Sequence, residues 1–397
     1  MSLAEACRDG LPRADGEANA RKNTDRRAKR PMSPRKGDDH SSEDASRFVR
    51  EAVLGFWIVV ACLTSAAALF GQKVKTDVTT LDDLFFNELK NLVMPKNAVE
   101  LKKGPSLNIT GAPRPGRMTT DSAGNIYFSE ARRATVLKLT PDGILDMNFA
   151  GNFAIKKRLT NPHALSIHEN MLLVQDQEKI VVFDLNGKFV SSMDIPNADD
   201  IAIDENGTIF VSPSIKSPKT ALVETYSLRG KKANSFGSPM NFRHSLGELN
   251  RRSLLLNGDM VYVVFRFFPI IRKYSKKGEF IEEFRIEDSF IRIKEEFNLK
   301  KMGEGIADPA KRYGYLEIIS AASVFDGLFY AINGYPILMI YEIGNNGKVN
   351  TIYWKDLEEI YVPKDLAIDE ANKEIRFRVL RSSPDSILDV FSTPRKR

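Results

Sequence analysis

The stretch Met118-Thr-Thr-Asp-Ser-Ala-Gly-Asn-Ile-Tyr-Phe-Ser-Glu130, continued by Val136-Leu-Lys-Leu-Thr-Pro-Asp-Gly143, decides the fold. It spells a short apolar strand, an Asp/Gly turn, an aromatic strand, a polar loop and a third strand that stops at a second Gly turn. Ile201-Ala-Ile-Asp-Glu-Asn-Gly-Thr-Ile-Phe-Val-Ser212, running on to Glu224-Thr-Tyr-Ser-Leu-Arg-Gly230, repeats the same grammar. Further copies start at Ala164, Leu254, Ala322 and Leu366, which makes six. Four strands per unit at a period of roughly 35 to 55 residues is the sequence signature of a propeller blade. Paired β-sandwiches would also give many short strands, but not one turn recurring at one place in each unit. The sixth copy ends without a fourth strand, and Val99 to Thr110 is the expected donor that closes the ring.

The chain has 397 residues and a formal charge of +6. A six-unit propeller takes about 300 residues as one closed body, which assigns 99–397 to it. Many basic residues sit in the first fifty positions, so the charge does not argue for nucleic acid. With two cysteines, Cys7 and Cys62, no disulfide framework or Cys-based metal site is available. Residues 1–50 carry too few large apolar side chains to offset the entropy of ordering and read as a disordered tail; Met32 offers an alternative start. Residues 51–71 hold an apolar run, Ala52 to Phe70, behind Arg47 and Arg50. That pattern fits a membrane anchor or an export signal, either of which places the propeller outside the cytoplasm, in the cell envelope or secreted. Val59-Val-Ala-Cys62 has lipobox character and Ala66-Ala-Ala68 that of a signal-peptidase site. Residues 72–98 form a linker with an amphipathic piece, Leu81 to Leu92.

The runs Asp121-Ser-Ala-Gly-Asn-Ile-Tyr127 and Asp204-Glu-Asn-Gly-Thr-Ile-Phe210, with strand ends such as Leu185-Asn-Gly187, resemble NHL-type repeats. The likeness, over about Val99 to Ser392, is to exported bacterial six-bladed β-propeller proteins. It implies the fold and leaves activity open, because the recurring residues are turn formers, and propellers host lyases, lactonases and pure binding modules alike.

Propeller geometry sorts the loops onto two faces. One carries turn chemistry throughout, at Asp121, Glu205-Asn-Gly207, Asn257-Gly-Asp259 and Asp326-Gly327, and reads as structural. The other gathers the residues at the start of each blade around the central channel. Arg117, His163, Asp200, Arg251, Lys364 and Asp365 stand there, with Arg266 on a neighbouring loop; these seven are the candidate ligand-binding residues. Glu130, Arg132, Arg133, Asp176, Phe267, Phe268, Tyr335 and Arg381 surround them. Cations mixed with aromatics suit an anionic ligand, a carbohydrate or a peptide; solvated ion pairs such as Arg117 with Asp365 would give the same residue set. His163 occupies the place where propeller lyases of the peptidyl-hydroxyglycine amidating type hold metal-binding histidines, but Arg117, Asp200, Arg251 and Lys364 stand where its co-ligands would be. No metal or other cofactor is therefore expected. Between blades four and five, Ile286, Phe290, Ile293 and Phe297 make a helical stripe of about three turns. The resulting expectation is an extracytoplasmic ligand- or protein-binding propeller without catalysis of its own, touching the membrane through residues 52–70. The alternative is a propeller lyase or hydrolase using His163 with Asp200 as acid and base, and Arg117 or Arg251 as anion clamp.

Overall fold

The computed structural model describes residues 94–104, 106–108, 115–151, 158–195, 198–242, 245–307, 314–333, 337–344, 346–356, 362–381 and 387–395. All lie in one compact unit, Asp77–Arg397. The tail, the apolar run 52–70 and the amphipathic piece 81–92 fall outside the described residues, among which no helix is long and apolar enough to cross a membrane.

Six sheets form the ring, antiparallel except for one added parallel strand in blade five. Blade one runs through Pro115–Thr120, Ile126–Glu130 and Thr135–Leu139. Blade two is Pro162–His168, Met171–Asp176, Lys179–Asp184 and Phe189–Asp194. Blade three is Ala198–Ile203, Ile209–Pro213, Val223–Tyr226 and Lys232–Phe236. Blade four is Arg252–Asn257, Met260–Phe265, Ile270–Ser275 and Phe280–Arg285. Blade five is Ala321–Phe325, Leu328–Asn333, Ile337–Ile343 and Val349–Asp356. Blade six is Pro363–Ala371, Glu374–Arg381 and Ile387–Pro394. The first strand of each blade neighbours the first strands of the blades before and after it, six around to the start. The protein is an all-β six-bladed propeller.

The turns explain the repeat. Asp121, Asp184 and Asp204 each use Oδ1 to accept the backbone N–H groups two and four residues on, at 2.8–3.0 Å. The third residue after each is a glycine at φ +81°, +82° and +77°, a conformation that costs a residue with a Cβ. Apolar side chains of the second strands, such as Ile126, Phe128, Val211 and Val263, are fully buried between blades.

Three expectations are corrected. The closing strand is narrower than Val99 to Thr110: Lys102–Lys103 and Leu107–Asn108 pair antiparallel with Ile387–Pro394, whereas Ala98–Glu100, with Val99, runs parallel to Val349–Asp356 as a fifth strand of blade five. Gly104 continues the pairing after Lys103, its N–H on the Val390 carbonyl at 2.8 Å. Asp389, fully buried, fastens this clasp by accepting the Ser106 hydroxyl at 2.5 Å and pairing with Arg381 at 3.3 Å. Blade one has three strands among the described residues; after a bridge from Leu139 to Leu145 comes a short helix, Met147–Gly151, that buries Phe149. The insertion helix, Ser289–Ala307, is longer than expected and turned about its axis. Its buried face is Phe290, Ile291, Lys294 and Asn298, while Ile293 and Phe297 are half-buried.

Candidate functional site

Arg117 is the hub of the channel. Its side chain is 11 % exposed, and its guanidinium donates to Ser253 Oγ at 2.7 Å, 3.6 Å from an Asp365 oxygen and 3.9 Å from an Asp200 oxygen. The two carboxylates are also blade connectors. Asp365 accepts the N–H groups of Leu366 at 3.0 Å and of Met118, in blade one, at 2.6 Å. Asp200 accepts those of Ile201 and of Leu254, in blade four, both at 3.0 Å. Burial works against the Arg117 charge, but Asp200 and Asp365 outweigh it and raise the pKa above the ordinary arginine value. Asp365 is shifted up by its burial, with Arg117 opposing. A solvated rim pair was the expectation for Arg117 and Asp365; the structure corrects this to a desolvated plug that spans blades one, three, four and six.

In blade two the strand register gives the matching place to Ala164, a correction to the sequence expectation, and it is preceded by His163. The His163 Nδ1 accepts the Ala164 N–H at 2.9 Å, so the neutral ring carries its proton on Nε2 and presents a donor. Burial, with Arg117 and Arg251 nearby, lowers its pKa and keeps it neutral.

Above the plug lies a second layer. Arg266, buried, pairs with Glu317 through Nη2 at 2.8 and 2.9 Å; burial depresses its pKa to about 10 against the pull of Glu317. Arg252, fully buried, donates to the carbonyls of Leu222, Asn250 and Pro213 and faces Asp199 at 3.4 Å. Lys364 is half-buried, and its pKa is lowered by burial first, then by Arg266, Arg251 and Arg117. Arg251 is exposed. Among the described residues no carboxylate lies within 4 Å of Arg251 or Lys364. Arg117, His163, Arg251, Arg266 and Lys364 lie close enough to influence one another's charge, and Asp200 and Asp365 pair with Arg117.

The surrounding set is reassigned. Phe267 and Phe268 are core residues of blade four rather than the rim aromatics the sequence suggested. Glu130 caps a turn through the N–H groups of Arg132 and Arg133. Asp176 is buried on the N–H groups of Thr160 and Asn161, and Arg381 is buried beside Asp389. Tyr335 lies outside the described residues. Ser253 and Asp365, rather than Arg251 and Lys364, hold the position equivalent to Arg117 and Asp200, and in blade two Ala164 rather than His163 holds it. Sequence reasoning missed Ser253 and Glu317. Below the plug, a cavity of about 320 Å³ follows the inner strands toward the turn face, past Thr120, Ile203, Leu256 and Ile368. Among the described residues no three His, Cys, Asp or Glu side chains converge as a metal site.

No family model matches the chain, and no curated protein matches it. Among solved structures it is similar to a streptogramin B lyase at 12% identity, covering 74% of this chain and 97% of that one, with TM-score 0.48. It is also similar to the virginiamycin B lyase of Staphylococcus aureus at 14% identity. The selenomethionine form covers 75% of this chain and 89% of its own at TM-score 0.44. A catalytically inactive variant of the same lyase, with quinupristin, covers 74% and 88% at 0.46. These neighbours are enzymes rather than binding proteins; at such identities and scores the likeness carries nothing about chemistry, and the six-bladed ring rests on the strand pairing above.

Proposed function

We propose that the channel mouth binds an anionic ligand. The observation that carries this is the pair Arg251 and Lys364, cations without a carboxylate within 4 Å among the described residues, set beside Arg266 at the open end of the channel. The deeper cation Arg117 is already matched by Asp200 and Asp365, so it holds the ring while the outer pair meets the ligand. Lys364 is half-buried and reaches an oxyanion with a charge-assisted hydrogen bond, while the exposed Arg251 adds a solvent-screened attraction. Calorimetry with inorganic phosphate and with succinate tests this. Binding should be lost in the double variant Arg251→Ala/Lys364→Ala and kept in Lys231→Ala/Lys277→Ala on exposed positions elsewhere. Equal behaviour of the two variants refutes the site.

A second reading, a lyase or hydrolase, is favoured by the lowered pKa of Lys364. The acid–base pair of His163 and Asp200 is poorly suited to it: His163 Nδ1 and both Asp200 oxygens are engaged by backbone N–H groups. Lys364 is the remaining candidate base. Its signature would be turnover that rises with pH through the lowered Lys364 pKa and disappears in Lys364→Met. We also propose that the apolar run 52–70 holds the propeller at a membrane with its mouth outside the cytoplasm, on the strength of its length and the preceding Arg47 and Arg50.

A further inference from the structure

We infer that the insertion between blades four and five serves to hold Glu317 over the mouth cations, where its carboxylate occupies the place of the ligand's own anionic group and is displaced when the ligand binds. This rests on the anion-binding reading of the mouth. Glu317 is the carboxylate that pairs with Arg266, and its side chain remains 25% exposed. The chain is pinned on both flanks of it. On one flank Asn298, fully buried on the insertion helix, takes the Leu316 N–H at 2.8 Å and donates to the carbonyls of Leu316 and Phe267, both at 2.9 Å. On the other, the Arg266 carbonyl accepts the N–H groups of Ile318 at 2.7 Å and Ile319 at 3.0 Å. Four of these hydrogen bonds fix the backbone around one acidic residue, the partner of that residue supplies two of the four, and the fifth ties Asn298 to blade four.

The pairing leaves donor capacity unused. Arg266 Nε is buried without a hydrogen-bond partner among the described residues, a condition costly for a charged group. Glu317 meets Nη2 alone, so an oxyanion approaching the planar edge of the guanidinium could use Nε as well as Nη2, a two-point contact that Glu317 does not make. Glu317 also acts at a distance. Its charge favours the protonated forms of Arg117 and Lys364, so it keeps the mouth cations charged while it screens them. The ligand class that fits is a small oxyanion, a carboxylate or a phosphate, and the occupied carboxylate makes binding an exchange of one anion for another. Such an exchange lowers affinity for every anion and lowers it most for those that offer a single charged group and no second contact.

The test is calorimetry on the full chain at low ionic strength, with inorganic phosphate and with succinate as probes, comparing wild type, Glu317→Gln, Glu317→Asp and Lys364→Ala. Glu317→Gln keeps the shape and a hydrogen-bond acceptor for Arg266 but removes the competing charge. It should bind at least one probe about tenfold tighter or more, and the preferred probe identifies the oxyanion. Glu317→Asp, which keeps the charge but shortens its reach to Arg266, should fall between wild type and Glu317→Gln and serves in its place if that variant does not fold. If both Glu317 variants bind no tighter than wild type while Lys364→Ala weakens binding, the inference is overturned and the anion site stands. If no form binds either probe, the anion site fails and the inference falls with it.

Discussion

Removing the Arg117 guanidinium would leave Asp200 and Asp365 facing each other across the channel without a cation between them. Both carboxylates would keep their backbone N–H partners, so the ring has reason to remain closed, but two buried negative charges would lose their shared counter-ion and Ser253 its donor. Breaking a buried pair from one side costs about 3–5 kcal/mol. For a domain of this size that is a fall in Tm of roughly 6–10 °C. The effect has a defined pH dependence. Asp365 is already shifted upward by burial, and Arg117 is the first group opposing that shift; in Arg117→Ala the folded-state value rises further. The folded variant then holds a proton that the unfolded chain, with an ordinary aspartate near pKa 3.9, releases. Stability of the variant therefore falls as pH rises through the folded value of Asp365. The deficit against wild type is largest near pH 7.5 and narrows toward pH 5. Thermal and denaturant melts of both proteins at those two pH values measure it. A deficit under 2 °C at pH 7.5, or one that widens on acidification, would show that the plug is solvated and the argument from burial wrong.

Other consequences can be checked separately. A chain begun at Gly111 lacks the strands that pair with Ile387–Pro394 and should associate through that bare edge; a monomer with the parent's melting temperature would refute the clasp. Burial depresses the Lys294 amine to about 7, so the unfolded chain binds the extra proton between pH 7 and about 10, and stability should climb with pH there by at most about 1.4 kcal/mol per unit. That slope should vanish in Lys294→Met, and equal slopes in the two proteins would sink the assignment. Protease added outside intact cells should reach the propeller if residues 52–70 direct export; protection equal to that of a cytosolic control counts against it.

The blades were legible because their turns are local. An Asp that closes its own turn and a Gly at positive φ leave a mark within four residues, as at Asp121, Asp184 and Asp204. The positions of the channel residues were less legible. Blades one, two, three and six shift register at the start of the first strand, between Pro115 and Met118, Pro162 and Leu165, Ala198 and Asp200, and Pro363 and Asp365. Blade four pairs without a shift from Arg252 onward. An extra residue on one strand moves the next side chain to the other face. Counting along the sequence therefore put Arg251 where Ser253 belongs. Glu317 left no mark at all, since its importance comes from Asn298 and Arg266, residues far from it in the chain. The insertion stripe misled for a related reason: Lys294 and Asn298 face inward because each finds a partner, Asn333 for one and the Leu316 backbone for the other, and apolar spacing cannot report that.

The clasp also sets a timetable. Ser106 and Asp389 are 283 residues apart, so during synthesis the first half of the fastening waits for the second. At about 5–20 residues per second, the ring stays open for roughly 15 to 60 s after Ser106 is made. Throughout that interval blade one has no sixth neighbour, and Leu380 and Leu388, which pack against Met118 and Phe128 in the finished ring, do not yet exist. A stop codon just before Ile387 and a proteolytic cut just after Asn108 would thus inflict the same injury from opposite ends of the chain, since each removes one side of a single seam.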